Sequence, residues 1–137
     1  MALQKWDQQF ADLTLAGTPA PGDTAASDPV AVVLGAQFAS IQYVKRSGTW
    51  APGESMTMRL EGTNLPADDP DQATSWEVIP ASRGTVGEND NAVYAGNADL
   101  FLILPYRFLR LVMVAPQEPA DDAVIGAYLR AVFEVGA

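Results

Sequence analysis

Neither histidine nor cysteine occurs anywhere in the 137 residues. Losing histidine removes the commonest general base, the commonest metal ligand and every serine or cysteine triad of the usual kind. Losing cysteine removes disulfide frameworks and thiolate metal sites, and says nothing about compartment. An enzyme would be left with carboxylates, lysine and tyrosine, so the chain reads as non-enzymatic and free of cofactors. Basic residues are scarce as well, eight Lys and Arg against 17 Asp and Glu, a formal charge of −9. They are scattered, whereas phosphate backbones are bound by clustered cations, so no nucleic-acid partner is expected. Long apolar runs are also missing. The longest, Leu100 to Leu104, is far too short for a bilayer, and the opening MALQKWDQQF lacks the apolar centre of a signal peptide. The expectation is a soluble protein with no membrane partner, of a length suited to one domain that buries roughly 68% of its unfolded surface.

What is present is alternation. Val124 to Val135 puts Ile125, Ala127, Leu129, Ala131, Phe133 and Val135 on one side and Tyr128, Arg130 and Glu134 on the other, the two-residue period of a strand with one face buried. Arg107 to Ala115 sets Leu109, Leu111 and Met113 against Phe108, Arg110, Val112 and Val114. This second strand is apolar on both faces apart from its arginines, so its outer face needs a cover, either another layer or another chain. Ser55 to Glu61 alternates Met56, Met58 and Leu60 with Ser55, Thr57, Arg59 and Glu61. Shorter strands are read at Val30–Leu34, Phe38–Arg46, Ser75–Pro80 and Leu100–Leu104, with a further short piece at Ala92–Tyr94. Between them lie turn-forming stretches: Gly17–Pro29, Ser47–Gly53 around Trp50, Thr63–Ala73, and the Gly- and Asn-rich region 83–97.

Residues 1–15 carry Leu3, Trp6, Phe10 and Leu13 at helical spacing. They read as a short helix or first strand on the core, or as an apolar arm docking on a neighbour. The expected organisation is therefore an N-terminal arm or short helix over residues 1–16 and a single domain over 17–137. Turn signals recur about every ten residues and strand–helix alternation is absent, so the domain is expected to be all-β, an antiparallel jelly-roll or β-sandwich of about eight strands.

Asp68, Asp69 and Asp71 lack the glycine and closing glutamate of a calcium loop and read as a solvated turn, as do Glu88 and Asp90 with their flanking asparagines. No metal ligand set is assigned. No acid except Glu134 sits in an apolar context that would raise its pKa, which argues against a glycosidase. Trp6, Trp50 and Trp76 are large aromatics of the kind that pack cores or form sugar-stacking surfaces, so a carbohydrate-binding β-sandwich is the alternative reading. Arg107 and Arg110 fall on opposite faces of their strand, where one of them meets a carboxylate or carbonyl row at an interface, or covers apolar area with its stem.

Several segments stand in a familiar order. DTAASD (23–28) precedes a short strand ending at Leu34-Gly35. The strand Met56–Glu61 leads to SWEVIPAS. Leu104-Pro105 is followed at once by RFLRL (107–111), and a last strand opens near Gly126. In this the chain resembles the small jelly-roll cement or decoration proteins of tailed-bacteriophage capsids, over most of residues 20–135. It departs from them in a longer, more acidic connection from Pro116 to Ala123 and in its Trp-bearing lead segment. The resemblance implies a homotrimer on the exterior of an icosahedral virion, made in the host cytoplasm, that binds the major capsid protein and bridges its subunits. On that footing the expected subunit contacts are Phe108, Arg110, Val112 and Val114, and the expected capsid contacts Leu3, Trp6 and Phe10.

Overall fold

The computed structural model describes residues 2–17, 19–95, 100–116 and 120–135; the side chains of Ala2, Ala120, Asp121, Glu134 and Val135 lie outside that description. Eleven strands appear among the described residues: β1 (Ala2–Leu15), β2 (Thr24–Ala26), β3 (Val30–Ala31), β4 (Phe38–Trp50), β5 (Ser55–Thr63), β6 (Glu77–Val78), β7 (Gly84–Gly87), β8 (Ala92–Tyr94), β9 (Phe101–Leu102), β10 (Phe108–Val114) and β11 (Ala120–Val135). They form two antiparallel sheets, ordered β1-β11-β4-β8 and β2-β10-β5-β6. Where two short strands share a partner they occupy one place: β2 and β3 both pair with β10, β6 and β7 with β5, and β8 and β9 with β4. The eleven strands thus fill eight places, in the order first–eighth–third–sixth in one sheet and second–seventh–fourth–fifth in the other. Two interleaved Greek keys of this kind make a jelly roll.

The core lies between the sheets and follows the alternation. Leu109, Leu111 and Met113 of β10 and Met56, Met58 and Leu60 of β5 face Ile41 of β4 and Ile125, Ala127 and Leu129 of β11, all of them buried. Each such aliphatic side chain contributes about 1.5–3 kcal/mol over leaving it in water.

Of the readings open for the N-terminal segment, the structure takes the first strand on the core and neither the helix nor the arm. Residues 2–15 are a strand paired with β11, in register from Ala2↔Val135 to Leu15↔Ala123. They are an edge of the first sheet rather than an arm outside the domain. The helical spacing has a local cause. Between Phe10 and Leu13 the register shifts, so three residues of β1 span two of β11, from Ala127 to Ile125. The extra residue of a β-bulge turns an odd spacing into two side chains on one face. Phe10 and Leu13 both enter the core, Trp6 packs against it half-buried, and Leu3, on the opposite face, is 72% exposed. Trp50 differs too: β4 runs through it, and its indole N–H donates to the Val86 carbonyl at 2.6 Å.

Tyr43 ties the two sheets together. Its ring lies over Gly84 of β7, where an added Cβ would come within 2.8 Å of it, and its hydroxyl donates to the Ser82 carbonyl at 2.6 Å. Burial pushes the Tyr43 hydroxyl far above the ordinary tyrosine range. The unfolded chain releases this proton near pH 10 and the folded chain resists doing so. The group's contribution to stability is therefore whole below about pH 10 and is lost as the pH rises beyond it. Tyr43→Phe is expected to cost about 1–2 kcal/mol at neutral pH, because the buried carbonyl loses its donor. It should also flatten the alkaline decline in stability. Guanidinium titrations across that pH range check both points, and equal alkaline slopes for the two proteins would refute the second.

Candidate functional site

For a chain expected to work by assembly the candidate site is a surface: the sequence marked two, and the structure adds a third. The first is the outer face of β10. There Phe108, Arg110, Val112 and Val114 lie across from Thr63, Glu61, Arg59 and Thr57 of β5. Residues directly opposite on paired strands share a face and touch, so Val112 lies in one row with Ala26 and Arg59. It is only 3% exposed, and its cover comes from its own chain. Arg110 is likewise engaged internally. Its Nε and Nη2 donate to Glu61 Oε1 at 2.9 and 2.7 Å, Arg59 Nε donates to Glu61 Oε2 at 2.9 Å, and the Arg110 guanidinium stacks 4.6 Å from the centre of the Trp76 ring. Of the two arginines the sequence singled out, Arg110 is the one that meets a carboxylate, and it does so within the chain. Glu61 is a buried carboxylate that the sequence reading passed over. On its own strand it looks like any outward polar residue, and its second cation comes from 49 positions away.

The second surface is the lead segment. Leu3, Trp6 and Phe10 are not brought together for contact, since Phe10 is 2% exposed and belongs to the core. Only Leu3 of the three projects freely.

The third surface is one that sequence reasoning did not mark. At the end of the sandwich where β3 leads into β4 and β9 leads toward β10, Val33 and Leu34 line a groove of about 380 Å3 with Leu104 and Phe108. Leu34 is 97% exposed. The Leu104 and Ile103 amides both donate to the Gln37 carbonyl, which brings this rim against Phe38 and its register partner Leu102. Phe38 and Leu102 are themselves exposed, and Val132 continues the patch two residues beyond the Arg130↔Ser40 pair. Exposed apolar side chains gathered at one end of a chain with a full core of its own are a candidate interaction site.

The carboxylates weighed as ligands serve their own turns. Asp69 Oδ1 accepts the Asp71 amide at 2.8 Å, and Asp90 Oδ2 accepts the Gly87 amide at 2.8 Å. The tryptophans do not form a shared stacking surface: Trp50 is buried under Lys45, Trp6 packs on the core, and Trp76 lies over Arg110 in the second sheet.

With this geometry in place, comparison with known proteins has one outcome. The likeness is one of fold. A chain of infectious bursal disease virus, Gx strain, superposes with a TM-score of 0.57 at 10% identity, over 98% of this chain and 33% of that one. A chain of the capsid of Ralstonia phage GP4 superposes with a TM-score of 0.56 at 14% identity, over 98% of this chain and 86% of that one. FlhE superposes with a TM-score of 0.48 at 15% identity, over 98% of this chain and 100% of that one. The chain spans about a third of the length of the bursal disease virus protein. No family model and no curated protein sequence matches it.

Proposed function

We propose that this chain is a structural protein of a virus particle, a cement or decoration protein that sits on the outside of an icosahedral capsid and bridges major capsid subunits. It acts as a homotrimer and carries out no chemistry. The observation that carries the reading is the apolar end of the sandwich around Leu34, Leu104, Phe38 and Leu102, which a solitary domain has no reason to keep. Supporting it are the jelly-roll fold held in common with a bursal disease virus chain and a phage capsid chain and a charge of −9 that suits an outward surface better than packaged nucleic acid. Phe108, on the wall of the apolar groove, is retained from the expected subunit contacts. The buried Val112 and the internally paired Arg110 are replaced by Leu34 and Leu104.

The double substitution Leu34→Asp/Leu104→Asp tests this. Both side chains point into solvent, so thermal stability is expected to stay within about 0.5 kcal/mol of wild type. The wild-type protein should sediment as a trimer at micromolar concentration and band with capsids of the virus that encodes it. The variant should be monomeric and stay at the top of the gradient. A wild-type protein that sediments as a monomer and leaves capsids bare would overturn the assignment.

A further inference from the structure

The outer face of the first sheet carries a second feature, one row of side chains from Phe38 and Val132. One row of register partners crosses all four of its strands: Gln9 of β1, Tyr128 of β11, Gln42 of β4 and Tyr94 of β8. The neighbouring row is Asp7, Arg130 and Ser40. Together they line an open groove of about 590 Å3. Tyr94 and Tyr128 stand 53% and 40% exposed. One strand, β4, lies between them, so their backbones are two strand spacings, roughly 10 Å, apart, the span of a short oligosaccharide.

We propose that this groove is a binding site for a neutral oligosaccharide, with Tyr128 and Tyr94 stacking on successive sugar faces and Gln42 hydrogen-bonding the hydroxyls between them. The chemistry of the floor selects that ligand class. Aromatic faces take the C–H face of a pyranose. The Gln42 amide supplies both a donor and an acceptor, and Ser40 adds a hydroxyl. Among the described residues the charges at the groove come as pairs: Arg130 with Asp7 on the floor and Arg46 with Asp12 beside Tyr128, each at 3.5 Å. They offset one another, so the floor favours neither an anion nor a cation. The site is also built before any ligand arrives. Arg46 Nη2 donates to the Tyr128 hydroxyl at 2.7 Å and its guanidinium lies 5.6 Å from the ring centre, which holds the ring in place. A preorganised ring loses little freedom on binding. The sequence reading looked for sugar stacking on tryptophans; the fold puts the exposed aromatic pair on tyrosines instead. This site does not depend on the assembly role, and either can fail alone.

The test is a titration of the isotopically labelled full-length protein with maltotriose, cellotriose and triacetylchitotriose at millimolar concentration, followed by amide chemical shifts. At least one should shift the amides of Gln42, Tyr94 and Tyr128 saturably. Tyr94→Ala and Tyr128→Ala should each weaken that binding about tenfold, and Tyr94→Phe should leave it within about twofold. The Tyr94 side chain is half in solvent, so Tyr94→Ala should melt like the wild type and its loss of binding cannot be ascribed to misfolding. Absence of shifts with all three sugars, shifts confined to another face, or unweakened binding by both alanine variants would overturn the proposal.

Discussion

Deleting residues 1–12 should abolish cooperative unfolding or lower stability by more than about 3 kcal/mol, rather than remove a dispensable arm. Phe10 is buried in the core and its strand supplies the outer hydrogen-bonding partner of β11. The deletion would open a cavity the size of a phenyl ring and leave a long strand edge unpaired, which invites aggregation. Phe10→Ala isolates the packing part, with an expected loss of about 3–5 kcal/mol in chemical denaturation. Leu3→Ala, on the solvent face of the same strand, should change stability by no more than about 0.5 kcal/mol. The contrast between these neighbours separates a core strand from a docking arm. A truncated protein that melts at the wild-type midpoint would show that the strand is not part of the cooperative unit.

The second large effect is expected at Glu61. Its side chain is 6% exposed and accepts hydrogen bonds from two arginines whose side chains are about a quarter exposed. Removing the carboxylate leaves two guanidinium groups facing each other across adjacent strands without a counter-charge. Breaking a buried pair from one side costs about 3–5 kcal/mol, and partial solvation of the arginines lowers the expectation for Glu61→Ala to about 2–3 kcal/mol. Replacing the whole cluster, as Arg59→Met/Glu61→Leu/Arg110→Met, should restore most of that loss, because no charge is then left unpaired. A double-mutant cycle on Glu61 and Arg110 should return a coupling of about 1–3 kcal/mol. A single Glu61→Ala variant as stable as wild type would mean that the cluster is ornamental.

Both effects bear on what the sequence made legible. The strands with strict alternation, β5, β10 and β11, could be read because each buries one whole face, and their inward residues are the ones expected. The short strands β2 (TAA) and β7 (GTVG) could not, since they are held by backbone pairing and by contacts such as Gly84 under Tyr43 rather than by an apolar period of their own. In β1 the bulge gave a strand a helical spacing, so the period left helix and strand both open while the hydrophobicity placed the segment on the core. The surfaces were harder still. The outer face of β10 looked bare from its own residues because its partners, Glu61 and Trp76, arrive from other strands and loops. The tyrosine groove needs three strands in register before Tyr128, Gln42 and Tyr94 become neighbours. Leu34 and Leu104 close the apolar runs VAVVL and LFLIL, which read as strands to their last residue, whereas the strands stop at Ala31 and Leu102 and leave both leucines in loops.

The register that joins Ala2 to Val135 also governs timing. Among the described residues β1 pairs with β11 alone, across most of the chain's sequence length, and β11 is also wedged beside β4 in the middle of the first sheet. Closing a loop that long must precede the contacts that reward it. Refolding should therefore be slow for a domain of this size, on the order of milliseconds to seconds. Until β11 arrives, Phe10 and the apolar faces of β4 and β10 remain uncovered together. A finished outer surface therefore exists only after β11 has docked.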